Sequence, residues 1–221
     1  MRNNMNDVIK DLSELRLSYQ KGELHEDQVK ANPHEQFILW FNHALEAQLH
    51  EPYAMSLATA SAQGRPHVRT VLLRGATEQG YAFYTNYDSQ KGLDVAANPF
   101  AEILFYWAEQ ERQIRISGRV VEISEQESTD YYHKRPRDSQ IAAHISTPQS
   151  GVIENREALQ QRFQDLCDRV EGQDLAKPEF WGGYRIEPDY YEFWQGRPNR
   201  LHDRLCYEKI EGAWKLQRLM P

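Results

Sequence analysis

Two stretches of this 221-residue chain concentrate side chains that grip anions. The first, Tyr131 to Gln140, reads YYHKRPRDSQ, and the second, Phe193 to Arg204, reads FWQGRPNRLHDR. Both are dense in Arg, His and hydroxyl groups, in a chain whose formal net charge is −7. Cations gathered against the global charge imply an anionic partner. The planar guanidinium fork, with two parallel N–H donors, is the side chain best shaped for phosphate. Tyr131, Arg135 and Ser139 recur at i, i+4 and i+8, a spacing that lines one helical face. Pro136 interrupts that reading, because proline disfavours helix in the residue before it. In the second stretch, read as a strand, Arg200, His202 and Arg204 share a face, and Leu201 and Asp203 share the other. Three such side chains in line repel unless something anionic or π-rich faces them. The bland alternative for the first stretch is a solvated basic turn.

Two weaker candidates lie upstream. Arg69 and Arg74 flank Val71-Leu72-Leu73 in HVRTVLLRG. Their opposite parity points them to opposite faces of an ideal strand. A bulge, a strand end or two separate phosphates would reconcile them; otherwise they are exposed strand charges. In YTNYDSQKG, residues 84–92, Thr85, Ser89 and Lys91 sit at a strand-to-helix junction, where free backbone N–H groups favour anions. Neither a Walker loop nor GxGxxG is present. No HExxH, paired CxxC, EF-hand loop or GxSxG elbow occurs, and the carboxylates are scattered, so metal, serine-hydrolase and glycosidase chemistry have no support. The acidic balance argues against a general nucleic-acid binder. No run of 18 apolar residues marks a spanning helix, and the N-terminus lacks a secretory signal. Cys167 and Cys206 have no metal-like spacing and read as reduced thiols of a cytoplasmic protein.

The elements that must position these residues alternate in texture. Ile9, Leu12, Leu15 and Tyr19 fall at helical spacing, and a second helix follows Pro33 through HEQFILWFNHALEAQLH. AMSLATASAQGRPHVRTVLLRG reads as two strands around a turn at Ala62-Gln63-Gly64, followed by a strand from Tyr81 to Thr85. Asp88 and Ser89 are N-cap types for a short helix, QKGLDVAANP. AEILFYW and RQIRISGRVVEIS form an antiparallel pair in which Gln113, Arg115 and Ser117 share one face and Ile114 and Ile116 the other. Helices return at 125–133, 139–145 and 154–170. The strands WGGYRIEP, YYEFWQG, RLHDRLCYEK and AWKLQRLMP close the chain. This order predicts an α+β protein built on a β-barrel, in one domain.

These residues carry a resemblance. RTVLLRG, FYTNYDSQKG, ERQIRISG, RPRDSQI, FWGGYRI, EFWQGRPNRLHDR and the final RLMP, in order and at matching intervals, resemble the pyridoxamine (pyridoxine) 5′-phosphate oxidase family from about Leu15 to the C-terminus. The resemblance implies an FMN-binding split β-barrel with surrounding helices, a homodimer with FMN at the subunit interface, and O2-dependent oxidation of the phosphorylated vitamer to pyridoxal 5′-phosphate with release of H2O2. It implies a mobile N-terminal segment, residues 1–30, and a single oxidase domain, residues 31–221. Arg69 and Lys91 would hold the FMN phosphate. Thr70, Val71, Leu72, Leu73 and Arg74, with Tyr84 and Thr85, would cradle the flavin, and Gln90 would lie near the FMN phosphate. Gln113, Gln149, Ser150, Trp194 and Arg204 would complete that site. The substrate phosphate would lie among Arg74, Tyr131, Arg135 and Ser139. Arg200 and His202 would flank the pyridine ring as the catalytic pair, with Arg16 and Tyr19 closing over it. The chain departs from the family in three places. Arg74 and Gln90 stand where lysine and often arginine are usual, and the chain is one residue longer near ISTPQSG.

Overall fold

A computed structural model describes residues 17–221. Arg16 and the expected helix positions Ile9, Leu12 and Leu15 lie outside the described residues; Tyr19 lies in chain without regular structure. Five helices and nine strands follow: α1 (Pro33–Glu46), β1 (Ala54–Ala60), β2 (Pro66–Leu72), β3 (Gly75–Thr77), β4 (Gly80–Asn86), α2 (Gln90–Ala97), β5 (Phe100–Trp107), β6 (Arg112–Glu122), α3 (Glu125–Lys134), α4 (Arg137–Ile145), α5 (Arg156–Arg169), β7 (Trp181–Gln195), β8 (Asp203–Ile210) and β9 (Ala213–Arg218).

Local chemistry sets the helix starts. Asn32 accepts the His34 N–H at 2.9 Å, and Pro33 fills the first helical position, where a missing N–H costs nothing. Ser89 caps α2, its hydroxyl accepting from Gly92 N–H. From α1, Phe37, Trp40 and Ala44 turn inward and pack against the sheet's apolar face. On β6, Ile114 and Ile116 are fully buried in that core, while Gln113, Arg115 and Ser117 take the other face, as the alternation predicts.

The sheet is antiparallel throughout, with path β2-β1-β5-β6-β7-β4-β3. β7 forks it. One edge of β7 follows β6 along its length; the other pairs β4 from Trp181 to Ile186 and β8 from Tyr190 to Gln195. Thus the two stretches expected as separate strands, WGGYRIEP and YYEFWQG, are one 15-residue strand with two different neighbours. The change of neighbour coincides with a bulge at Ser117/Gly118, opposite Pro188. Proline has no N–H for the ladder, so it is tolerated where the ladder is already broken. A Cβ on Gly118 would run into the Glu187 carbonyl oxygen. Gly118→Ala is therefore expected to destabilise by about 1–3 kcal/mol, read as a drop of several degrees in the thermal midpoint.

Two expectations need correction. Tyr131, Arg135 and Ser139 do not share a helix: α3 ends at Lys134, Arg135 is extended (φ −72°, ψ 149°), and α4 restarts after Pro136. The ring of Pro136 crowds the residue before it and favours the extended conformation that Arg135 takes. Nor do Arg200, His202 and Arg204 line one strand face, because β8 begins only at Asp203. Pro198–Arg200 instead form a tight turn in which Asn199 and Arg200 both have positive φ, 58° and 62°. Both cysteines are free thiols. Among the described residues, no helix is long and apolar enough to cross a membrane.

Candidate active site

The largest concentration of candidate residues lines one cleft of about 670 Å3. β2 and the chain just beyond it supply Arg69, Thr70, Val71, Leu72 and Arg74. β4 supplies Tyr84 and Thr85, α2 supplies Lys91, and the α3–α4 corner supplies Tyr131, Lys134, Arg135 and Ser139, with Trp181 from β7. The parity conflict between Arg69 and Arg74 dissolves because β2 stops at Leu72, so Arg74 lies past the strand end. Leu73 turns away into the core, 7% exposed. Five of the lining side chains are cationic and none is a carboxylate.

Four of these five cations fall into two pairs; the fifth, Lys134, stands at the α3–α4 corner. At one end, Lys91 Nζ donates to Thr85 Oγ1 at 3.0 Å and Ser89 Oγ at 3.1 Å. Burial lowers its pKa, and the positive charge of Arg69 lowers it further. At the other end, burial lowers the pKa of Arg135, and the charge of Arg74 adds to the effect. Like charges are held together at both ends of a partly dry cleft. Such repulsion is relieved by an anion.

Arg135 is the best-defined grip. Gln140 Nε2 donates to its carbonyl at 2.9 Å, and the Tyr132 hydroxyl donates to the Gln140 carbonyl at 3.2 Å, fixing the corner between the helices. The Arg135 guanidinium lies 4.6 Å over the Trp181 ring. Lys177 Nζ in turn donates to the Trp181 carbonyl at 2.8 Å. Arg135 Nη1 is nonetheless buried with no hydrogen-bond partner. A desolvated charged donor without a partner is costly, and a phosphate oxygen would satisfy it. Beside it Tyr84 and Tyr131 stack at 3.8 Å, with Trp181 parallel beyond, a flat aromatic wall. The cleft's size falls in the ~300–1,000 Å3 range of small-molecule sites. The donor set, two separated cation pairs against aromatic rings, suits a planar cofactor with a phosphate tail plus a second phosphorylated ligand.

A second cluster forms at the other end of β7. Gln113, Trp194 and Arg204 face one another as cross-strand partners on β6, β7 and β8. Trp194 lies 4.7 Å from the His202 ring, and Tyr19 sets its edge against both. Tyr19, Arg200 and His202 line a separate cavity of about 740 Å3. The Arg197 N–H donates to His202 Nδ1 at 3.1 Å. Burial lowers the His202 pKa, and the charge of Arg200 lowers it further against a smaller opposing pull from Asp203. The neutral ring therefore carries its proton on Nε2 and presents a donor. Arg204 turns its fork to the buried Glu192 at 2.8 and 3.1 Å, and gives Nη1 to the Met220 carbonyl, tying the C-terminus to this row.

The two clusters share no lining residue. Trp181 and Gln195 mark opposite ends of β7, on the order of 45 Å of extended strand before its curl is counted. Gln149 and Ser150 lie in the loop between α4 and α5 and line neither cavity. Gln90 also stays out of the cleft, donating to Asp94. Sequence reasoning missed the cleft residues Lys134 and Trp181, although the first stands inside YYHKRPRDSQ and the second inside FWGGYRI. It also missed Glu192, whose signal was a carboxylate set between Tyr191 and Phe193.

A family model described as pyridoxamine 5′-phosphate oxidase matches residues 41–167, and one described as the pyridoxine 5′-phosphate oxidase C-terminal dimerisation region matches residues 181–221. A pyridoxine/pyridoxamine 5′-phosphate oxidase of Acinetobacter baumannii is 78% identical over 218 residues, covering 98% of this chain and all of the relative. One from Deinococcus deserti is 54% identical, covering 96% of this chain and 99% of the relative. Among solved structures, PhzG from Burkholderia lata, in complex with tetrahydrophenazine-1-carboxylic acid, superposes with a TM-score of 0.84 at 33% identity, over 90% of this chain and 98% of its own. A pyridoxamine 5′-phosphate oxidase-related, FMN-binding protein from Nostoc punctiforme shares the fold at a TM-score of 0.67 and 18% identity, over 86% of this chain and 97% of its own. The forked antiparallel sheet is thus a split barrel of this kind.

Proposed function

This chain belongs to the pyridoxamine 5′-phosphate oxidase family, and from that premise we propose that it oxidises pyridoxamine or pyridoxine 5′-phosphate to pyridoxal 5′-phosphate, using FMN and reducing O2 to H2O2. The observation that carries the reading is the orphaned Arg135 Nη1, in a cleft lined by five cations and no carboxylate. Arg69 and Lys91 hold the FMN phosphate. Thr70, Val71, Leu72, Arg74, Tyr84 and Thr85 border the flavin. Tyr131, Arg135, Ser139 and Arg74 hold the substrate phosphate and so fix where the pyridine ring lies. When bound, the flavin supplies the electron chemistry that no side chain here can.

Arg200 and His202 complete the site from a second copy of the chain. Their cavity lies at the far end of β7 from the phosphate cleft, so one chain does not place them on a substrate held by Arg135. The dimerisation match spans Trp194, Arg200, His202 and Arg204. A twofold dimer places each copy's second cluster over its partner's first. There Arg200 polarises the reacting substituent, and the His202 Nε2–H donates to the substrate. Tyr19, its edge set against Trp194 and His202, excludes water from the ring.

Two measurements test this. Pyridoxamine 5′-phosphate added under air should yield aldehyde and peroxide in equal amounts, and only with FMN present. Turnover that required a reduced nicotinamide, or a purified protein showing a single aldehyde band and no two-banded flavin spectrum, would contradict the reading. FMN affinity should also depend on pH. The bound phosphate raises the Lys91 pKa, which burial and Arg69 hold below the ordinary 10.5 in the free protein. Binding therefore takes up a proton at pH values between the free and the bound pKa. Affinity is full below the lowered pKa and falls as pH rises through it. Flavin fluorescence titrations from about pH 7 upward should show Kd rising at the alkaline end, and Lys91→Met should flatten that rise.

A further inference from the structure

Behind the FMN-phosphate end of the cleft lies a buried carboxylate, Asp94 of α2, 2% exposed. Its Oδ2 accepts from the Thr59 hydroxyl at 2.6 Å and lies 2.8 Å from His67 Nδ1; its Oδ1 accepts from Gln90 Nε2 at 2.9 Å. Burial pushes the carboxyl pKa up, but these hydrogen bonds outweigh it and leave the group below its ordinary 3.8, hence ionised. Arg69 leans on the same assembly. Its Nη1 donates to Thr59 Oγ1 at 2.7 Å and to the Leu57 carbonyl at 3.2 Å, and its Nη2 lies 3.7 Å from Asp94 Oδ2. Thr59 gives its one proton to Asp94, so its lone pairs face Arg69. With both Nη1 hydrogens engaged, the Nε and Nη2 edge of the fork is left for a ligand.

By charge alone this carboxylate opposes the site, because it stands beside a cation that must attract a phosphate dianion. Its benefit must then be geometric. We propose that Asp94 is a positioning residue for the phosphate grip: through Thr59 it fixes the rotation of the Arg69 fork, and it holds the Gln90 amide away from the cleft. The proposal rests on the reading that Arg69 holds the FMN phosphate. Geometry and charge give opposite signs for one substitution. Asp94→Asn keeps the shape and removes the charge, so a purely electrostatic role predicts tighter FMN binding and a positioning role predicts weaker binding.

The experiment is a fluorescence titration of FMN into full-length protein stripped of flavin, with folding checked by circular dichroism. It compares the wild type, Asp94→Asn, Arg69→Lys and the double variant. Asp94→Asn is expected to raise Kd about tenfold, as for a lost hydrogen bond at a charged group. In the Arg69→Lys background, where no fork remains to be set, the same change should raise Kd less than about twofold. Tighter binding by Asp94→Asn overturns the proposal, and so does an equal loss in both backgrounds. If Asp94→Asn does not fold, Thr59→Val removes the relay and keeps every charge; weaker binding supports the proposal, and an unchanged Kd overturns it. Arg69→Ala separates the two levels of the account. Wild-type affinity in that variant overturns the Arg69 reading and this proposal together. Weak binding by Arg69→Ala beside an unchanged Kd in Asp94→Asn overturns this proposal alone.

Discussion

Replacing Arg135 by leucine is expected to lower kcat/KM for pyridoxine 5′-phosphate about 100-fold and to leave the slow rate with unphosphorylated pyridoxine where it stands. The corner between α3 and α4 holds this guanidinium over Trp181 at 4.6 Å with Nη1 buried and unpartnered. A charge-assisted hydrogen bond is worth roughly 1.5–3 kcal/mol, and each ~1.4 kcal/mol is a factor of ten. Losing the fork also leaves a phosphate oxygen facing apolar surface, so the upper end of that range applies. Arg135→Lys should recover little, because an ammonium has neither the fork nor the ring-stacking plane. Steady-state rates with the two substrates check the prediction. An equal loss with both would mean that Arg135 supports the fold of the corner and does not bind phosphate.

The second large effect is expected at Arg200. Arg200→Leu should reduce kcat about 10²–10³-fold, the usual loss when one aimed donor is removed from a reacting centre. FMN binding should be unchanged, because Arg200 lines the other cavity and none of the phosphate cleft. The positive φ of Arg200, 62°, supports this role. A bulky residue is held in the left-handed region only where the surroundings impose it, and such positions cluster at functional sites. Because the two cavities come from different copies in the proposed dimer, the two leucine variants should complement. Coexpressed, they form hybrid dimers carrying one doubly altered site and one intact site, which should restore about a quarter of the normal site number. A mixture as inactive as its parents would place both residues on one copy's site.

Much of the fold was legible because its signals are local. The period-two burial of β6, the proline start of α1 and the serine cap of α2 are each set by a few adjacent residues. The site was legible in its residue types, since arginines clustered in an acidic chain repel one another unless an anion sits among them. Their arrangement was not. The spacing of Tyr131, Arg135 and Ser139 suggested one helical face, but Pro136 breaks the helix, and convergence comes from the corner it creates. Arg200 and His202 looked like strand positions, whereas the turn at Pro198 takes them out of the ladder. The fork in β7 was also hidden. Pro188 hints at a broken ladder, but the partner of the first half, β4, lies about a hundred residues away in sequence, while the second half pairs with the next strand, β8. Asp94 gave no signal, because a carboxylate on a short helix reads as a solvated surface charge until Thr59 and His67 are folded against it.

The central claim is that one cleft holds two phosphates on two separate cation pairs. A crystal structure with FMN and pyridoxal 5′-phosphate both bound tests it most directly. One phosphate is expected within hydrogen-bond distance of Arg69 and Lys91, the other on Arg135, Tyr131 and Ser139, and the partner copy's Arg200 over the vitamer ring. Either phosphate outside the cleft, or both on one pair, would contradict it.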